Sequence, residues 1–227
     1  DRRRAEPGAG VLPVPRRDAP ARPRVLPVPP VGTILILLLR YLNNMLVGSI
    51  DVGTRNLALA VYNSDTHAII HVEVIDLSRV SVRGMVKIGE QSLVFLVTKM
   101  IEDRREIFSR CTIVGIEKQM TRRMLAVQFI LEAVLTPLVP YVVQVVPSNV
   151  KRWLGTGCRR NHKKNKRAAI AKLKELIGPE GSARLAKFKK KDDVADSSLQ
   201  AMYIHANLKK VLAKWNLARK EIEIVPR

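Results

Sequence analysis

Forty Lys and Arg outnumber twenty Asp and Glu in this 227-residue chain, so an acid at the end of an apolar stretch demands a chemical reason. Asp51 follows Leu46-Val47-Gly48-Ser49-Ile50, and Glu117 follows Thr112-Ile113-Val114-Gly115-Ile116. An unpaired charge at the end of a buried strand is costly. A third acidic group, Asp192, Asp193 and Asp196, opens a helical stretch. Asp193 and Asp196 are three apart and Asp192 and Asp196 four apart, so either pair projects from one helical face. Carboxylate oxygens suit the hard cations Mg²⁺ and Mn²⁺, whereas sulfur and imidazole would favour Zn²⁺. Four carboxylates from three elements could hold two such ions, which activate water and stabilise a leaving oxygen in phosphodiester cleavage. Each acid taken singly also fits a plainer role as cap, turn residue or surface charge, and Asp192 and Asp193 are good helix-start residues.

The positive charge is clustered. Residues 147–227 carry twenty-one basic and seven acidic side chains, while residues 45–146 carry eleven and ten. The densest run comprises Lys151, Arg152, Arg159, Arg160, Lys163, Lys164, Lys166 and Arg167. Neutralising phosphates releases counterions, so these residues are expected to bind nucleic acid with strong salt dependence and little sequence preference. A nuclear-localisation-like or purely electrostatic run is the plainer alternative. Trp153, beside two cations, fits a base-stacking surface or the edge of a core. His162 lies within the run and could touch phosphate. The four histidines show no zinc spacing with Cys111 and Cys158, and no Walker-type loop is present. Two cysteines build no disulfide framework, and a reduced intracellular setting is expected. Apolar runs such as Ile34 to Leu39 stay far below the ~20 residues of a membrane span.

The elements that must position the acids follow from the apolar pattern. Strands are expected over Leu46–Val52, Leu57–Tyr62, Ile69–Leu77, Thr112–Ile116 and Tyr141–Val146, the first three as an antiparallel meander. Helices are expected over about Gly89–Ser109, over Arg122–Leu135, over Asn165–Ile177 with a stop at Gly178-Pro179, and over Asp192–Trp215. Pro147 is read as closing the fifth strand. This order gives an α/β layer fold with a mixed five-stranded sheet flanked by helices. Helix 122–135 carries more apolar surface than one face buries, which fits packing on several sides or a subunit interface. Residues 1–44 hold eight of the thirteen prolines. They are read as a Pro/Arg-rich disordered tail or translated upstream sequence, with the folded domain at 45–227.

Three motifs carry a resemblance. Ser49-Ile50-Asp51-Val52-Gly53-Thr54-Arg55-Asn56-Leu57-Ala58 resembles the first motif of RuvC-like Holliday junction resolvases, closest to the type of poxviruses, iridoviruses and other large DNA viruses. It is shared in part with the yeast mitochondrial enzymes. Ile116-Glu117-Lys118-Gln119 resembles their second acidic motif, and Lys190-Lys191-Asp192-Asp193-Val194-Ala195-Asp196-Ser197 their C-terminal motif. The resemblance spans roughly Leu46 to Leu212. It implies an RNase H-like fold, a homodimer, Mg²⁺ (with Mn²⁺ substituting) and paired symmetric nicks in branched, four-way DNA. It implies catalytic and metal roles for Asp51, Glu117, Asp193 and Asp196, the three-residue spacing favouring Asp193 over Asp192. It also implies an assisting lysine, best matched by Lys166, with Lys163 and Lys164 competing. For a viral enzyme it implies an intracellular site of action, a cytoplasmic viral factory or the nucleus.

Three other readings compete. Asp51-Val52-Gly53-Thr54 also resembles the phosphate turn of the sugar-kinase and actin ATPases, but the second turn and second lobe are absent. The same fold could cut RNA–DNA hybrids or flaps. A basic DNA-binding protein without chemistry is the third.

Overall fold

The computed structural model describes residues 45–77, 92–156 and 161–214. The expected tail at 1–44, and Arg159 and Arg160 of the basic run, lie outside the described residues. Short, largely apolar stretches form strands β1 (Leu46–Asp51), β2 (Leu57–Asn63), β3 (Ala68–Ile75), β4 (Ile113–Glu117) and β5 (Tyr141–Val145). The sheet order is β3-β2-β1-β4-β5. β1–β2 and β2–β3 pair antiparallel, as the meander predicted, and β1–β4 and β4–β5 pair parallel.

Because successive residues of a strand point to opposite faces, the sheet sorts its apolar residues into two cores. On one face Ile50, Leu57, Leu59, Val61, Val114 and Ile116 pack against helices α1 (Ser92–Glu102), α2 (Arg105–Ser109) and α3 (Arg122–Leu135) through Val97, Met100, Phe108, Val127 and Leu131. On the other, Val47, Ile113, Val143 and Val145 pack against α4 (Pro147–Leu154), α5 (His162–Ala186) and α6 (Lys191–Ala206) through Val150, Leu173, Leu199, Ala201 and Ile204. The same parity places Asp51 and Glu117 on the α6 face, two residues beyond Ser49 and Gly115.

Close contact between α6 and the sheet depends on Gly115, where an added Cβ would stand 2.3 Å from Ile204 Cδ1. Gln200, buried on the inner side of α6, donates from Nε2 to the carbonyls of both Ile50 and Gly115 at 3.3 Å. One amide thus fixes α6 to β1 and β4, one residue before Asp51 and two before Glu117.

Several element expectations are corrected. The helix expected over 89–109 is two, because Arg104 leaves helical geometry (φ −121°, ψ 17°). Its N–H tightens onto Ile101 O at 3.0 Å, while its guanidinium takes Met100 O and the Glu73 carboxylate on β3. Pro147 closes the fifth strand but also opens α4, since its fixed φ suits the first helical position. The helix expected from Asn165 starts at His162, where Asn161 Oδ1 accepts from Lys164 N–H at 2.9 Å. The predicted break at Gly178 is present (φ 67°, ψ −170°), yet helix resumes from Pro179 and carries Leu185 into the core. The last helix ends at Ala206, with a turn at Asn207 before residues 208–214 continue helically. Asn207 Nδ2 donates to Tyr203 O at 3.1 Å, and Trp215 lies outside the described residues.

Candidate active site

At the C-terminal ends of β1 and β4, Asp51 and Glu117 face Asp196 of α6 across one cleft. Lys151 and Leu154 of α4, Thr156, and Asn165, Lys166 and Ala169 of α5 complete its walls. The cleft opens to solvent beside the acids, so a backbone phosphate can approach them. Parallel pairing sets the first two acids side by side, since β1 and β4 run in register from Val47–Ile113 to Ile50–Ile116. Gly53 lets the turn after β1 close, because a Cβ there would stand 2.6 Å from the Asn56 carbonyl oxygen.

The charges are frustrated. Burial pushes the Asp51 carboxyl well above the usual range, and the adjoining Glu117, then Asp196 and Asp193, push it further. Burial raises Asp196 to about 6, with Lys151 and Lys166 holding it down and Glu117 and Asp193 opposing them. Burial and then Asp192 raise Asp193, whose Oδ2 is buried without a hydrogen-bond partner. Among the described residues no three acidic, His or Cys side chains are already gathered as a ligand cage. The donor set nevertheless fits a hard divalent cation: mutually repelling carboxylates and an orphaned carboxylate oxygen are what such an ion relieves.

A hydrogen-bonded line braces Glu117. Gln119 Nε2 donates to Glu117 Oε2 at 2.7 Å, Gln119 N–H donates to Gln128 Oε1 at 2.7 Å, and Gln128 Nε2 donates to Glu132 Oε1 at 2.8 Å. Gln128 is fully buried in α3.

A sequence-family comparison completes this picture: the model of the family described as "Poxvirus A22 protein" matches residues 45–209. The chain belongs to the poxvirus A22 protein family. Its fold is shared with solved structures. A fowlpox virus resolvase, described in complex with its substrate Holliday junction DNA, matches with TM-score 0.52 at 18% identity, covering 72% of this chain and 99% of that one. The yeast mitochondrial Holliday junction resolvase Ydc2 matches with TM-score 0.52 at 19% identity, covering 77% and 89%. Comparison with curated protein sequences finds no match. At these identities the structural likeness is one of fold: the mixed five-stranded sheet flanked by helices that the resemblance implied.

Within this family member the expected residues separate. Asp51, Glu117, Asp196, Lys151 and Lys166 meet at the cleft, and Asp193 stands close enough to act on Asp51 and Asp196 by charge. Asp192 turns instead to Lys166, which pairs with it by hydrogen bond and charge. Arg152, Lys163, Lys164 and Arg167 are exposed on α4 and α5 without lining the cleft. Trp153 is exposed and lies edge-to-face on Tyr203, ring centroids 5.8 Å apart. Sequence reasoning missed helix α4, which brings Lys151 to the acids, and the amides Gln119, Gln128 and Gln200. The available signals were Gln119 inside the second acidic motif and Gln128 within the largely apolar helix 122–135.

Proposed function

We propose that the chain is a structure-selective endodeoxyribonuclease that resolves four-way DNA junctions by paired symmetric nicks. The observation that carries this reading is the convergence of Asp51, Glu117 and Asp196 with Lys151 and Lys166 at one cleft, in a member of the poxvirus A22 family. Asp51, Glu117, Asp193 and Asp196 would hold two Mg²⁺ ions (Mn²⁺ substituting), which when bound supply Lewis-acid activation of water and of the departing 3′ oxygen. The protein's own residues do the rest. Lys151 and Lys166 seat the scissile phosphate beside the acids. Gln119 keeps one Glu117 oxygen occupied and so fixes which way the other points. The exposed cations Arg152, Lys163, Lys164 and Arg167 hold flanking phosphates and position the duplex arms without reading bases.

A four-way junction is two-fold symmetric, and a homodimer places two such clefts across a matching axis. Among the described residues no helix is long and apolar enough to cross a membrane. The proposed place of action is the compartment where viral DNA replicates, a cytoplasmic factory or the nucleus.

The test is a cleavage panel of four-way junction, linear duplex, flap and RNA–DNA hybrid. Cleavage of the junction alone is expected. Hybrid or flap cleavage with the junction intact would move the activity to another substrate of the same chemistry, and binding without cleavage in Mg²⁺ or Mn²⁺ would leave a basic DNA-binding protein.

A further inference from the structure

Asp192 and Asp193 are neighbours in the first turn of α6, yet they serve different partners. Asp193 Oδ2 is buried and unpartnered, and its charge reaches Asp51 and Asp196. Neither acid lines the cleft wall itself, but Asp192 receives the ammonium of Lys166 from α5. Lys166 belongs to that wall, together with Asn165 and Ala169, whereas Lys163 and Lys164 do not. Lys166 carries four side-chain rotatable bonds and is exposed, so without a partner its ammonium would sample much of the cleft mouth.

We propose that Asp192 is a positioning residue for Lys166: it holds the Lys166 ammonium at the rim of the cleft, where it meets the scissile phosphate, and leaves metal ligation to Asp193. The inference rests on the junction-cleaving reading above. It divides the acidic doublet into one ligand and one orienting group, and it selects Lys166 from the lysine run. The Asp192 hydrogen bond also raises the Lys166 pKa, which keeps the ammonium charged. An exposed pair of this kind adds little to stability, so its consequence falls on orientation.

The experiment is a double-mutant cycle of Asp192→Asn and Lys166→Met, with Asp192→Glu as the conservative variant. Single-turnover cleavage of pre-bound junction is measured beside junction affinity without metal and Mn²⁺ affinity by calorimetry. Asp192→Asn is expected to slow cleavage by about 10–100-fold, the usual effect of removing an orienting partner. Junction affinity stays equal or becomes tighter, because a negative charge near phosphate has been removed. In the Lys166→Met background Asp192→Asn adds no further loss, and Asp192→Glu recovers part of the rate. Mn²⁺ affinity is unchanged by Asp192→Asn and falls in Asp193→Asn. Additive losses in the cycle, or weaker Mn²⁺ binding in Asp192→Asn, overturn the assignment. Should the wild type nick no junction, the cleavage reading has failed on its own account. The Mn²⁺ titrations then still decide the doublet, an affinity loss in Asp192→Asn overturning the division.

Discussion

Asp51 is held where the fold alone would prefer a neutral side chain. Burial and three neighbouring carboxyls all raise its pKa, and burial raises Asp196 to about 6. A carboxyl easier to protonate folded than unfolded contributes stability that is fully present below its unfolded pKa near 4. That stability is lost as pH rises through the folded value. His205, whose pKa is lowered by burial and by His67, acts in the opposite sense as pH falls through its folded value. The difference between variants isolates the acids. Without divalent metal, Asp51→Asn is expected to melt above wild type at pH 7.5, by roughly 2–4 °C for about 1 kcal/mol of relieved repulsion. The gap should shrink towards pH 5, and Mg²⁺ should close it by stabilising only the wild type. Melting curves at the two pH values, with and without Mg²⁺, check this; a variant that melts lower at pH 7.5 would show that the cluster is not strained. Asp51 and Glu117 were legible in sequence because each ends a short apolar run in a basic chain, and Asp193 and Asp196 because their spacing shares one helical face. The pairing of Asp192 with Lys166 was not, because the two lie twenty-six residues apart and only the packing of α5 against α6 brings them together.

Elements were legible wherever period and stop signal agreed, as in the meander and the break at Gly178. They failed where a tertiary bond decides. Arg104 splits a helix of continuous apolar period by bonding Glu73 on a strand thirty-one residues away. Pro147 looks like a strand's end and is also a helix's beginning. Gln200 is the least legible of all, a polar residue whose two acceptors lie on different strands. Removing its donor takes away both hydrogen bonds to inner strand carbonyls, so Gln200→Leu is expected to cost about 1–3 kcal/mol. Because α6 carries Asp193 and Asp196, the same change should weaken Mn²⁺ binding even at temperatures where the protein is fully folded. Denaturant unfolding and metal titration together test this, and wild-type Mn²⁺ affinity in a destabilised variant would separate the amide from the site.

At the scale of the whole molecule, the two faces of the sheet have different uses. The α6 face holds the cleft and its cations. The other face is covered by α1 and α3, which still expose Phe95 (53%) and Phe129 (57%) along with Val94. Composition had indicated that helix 122–135 carries surplus apolar surface, and Phe129 shows where part of the surplus points. If that face joins two copies, sedimentation of the wild type at micromolar concentration gives a dimer. Phe95→Glu with Phe129→Glu then gives a monomer that binds junctions more weakly and loses paired nicking. A double variant that remains dimeric would place the subunit contact elsewhere.

On the proposed reading the carboxylates perform metal-dependent junction chemistry, Lys151 and Lys166 seat the scissile phosphate, and only the outer cations merely hold the DNA. This reading is tested most directly by mapping nicks on a four-way junction labelled on each strand, for wild type and Asp51→Asn, in Mg²⁺ and in EDTA. Symmetric nicks in two opposed strands are predicted for the wild type in Mg²⁺ alone. Asp51→Asn should bind the junction as tightly and cleave it slower by on the order of 10³-fold or more. Cleavage that survives EDTA or the loss of Asp51, or an intact junction under every condition, would contradict it.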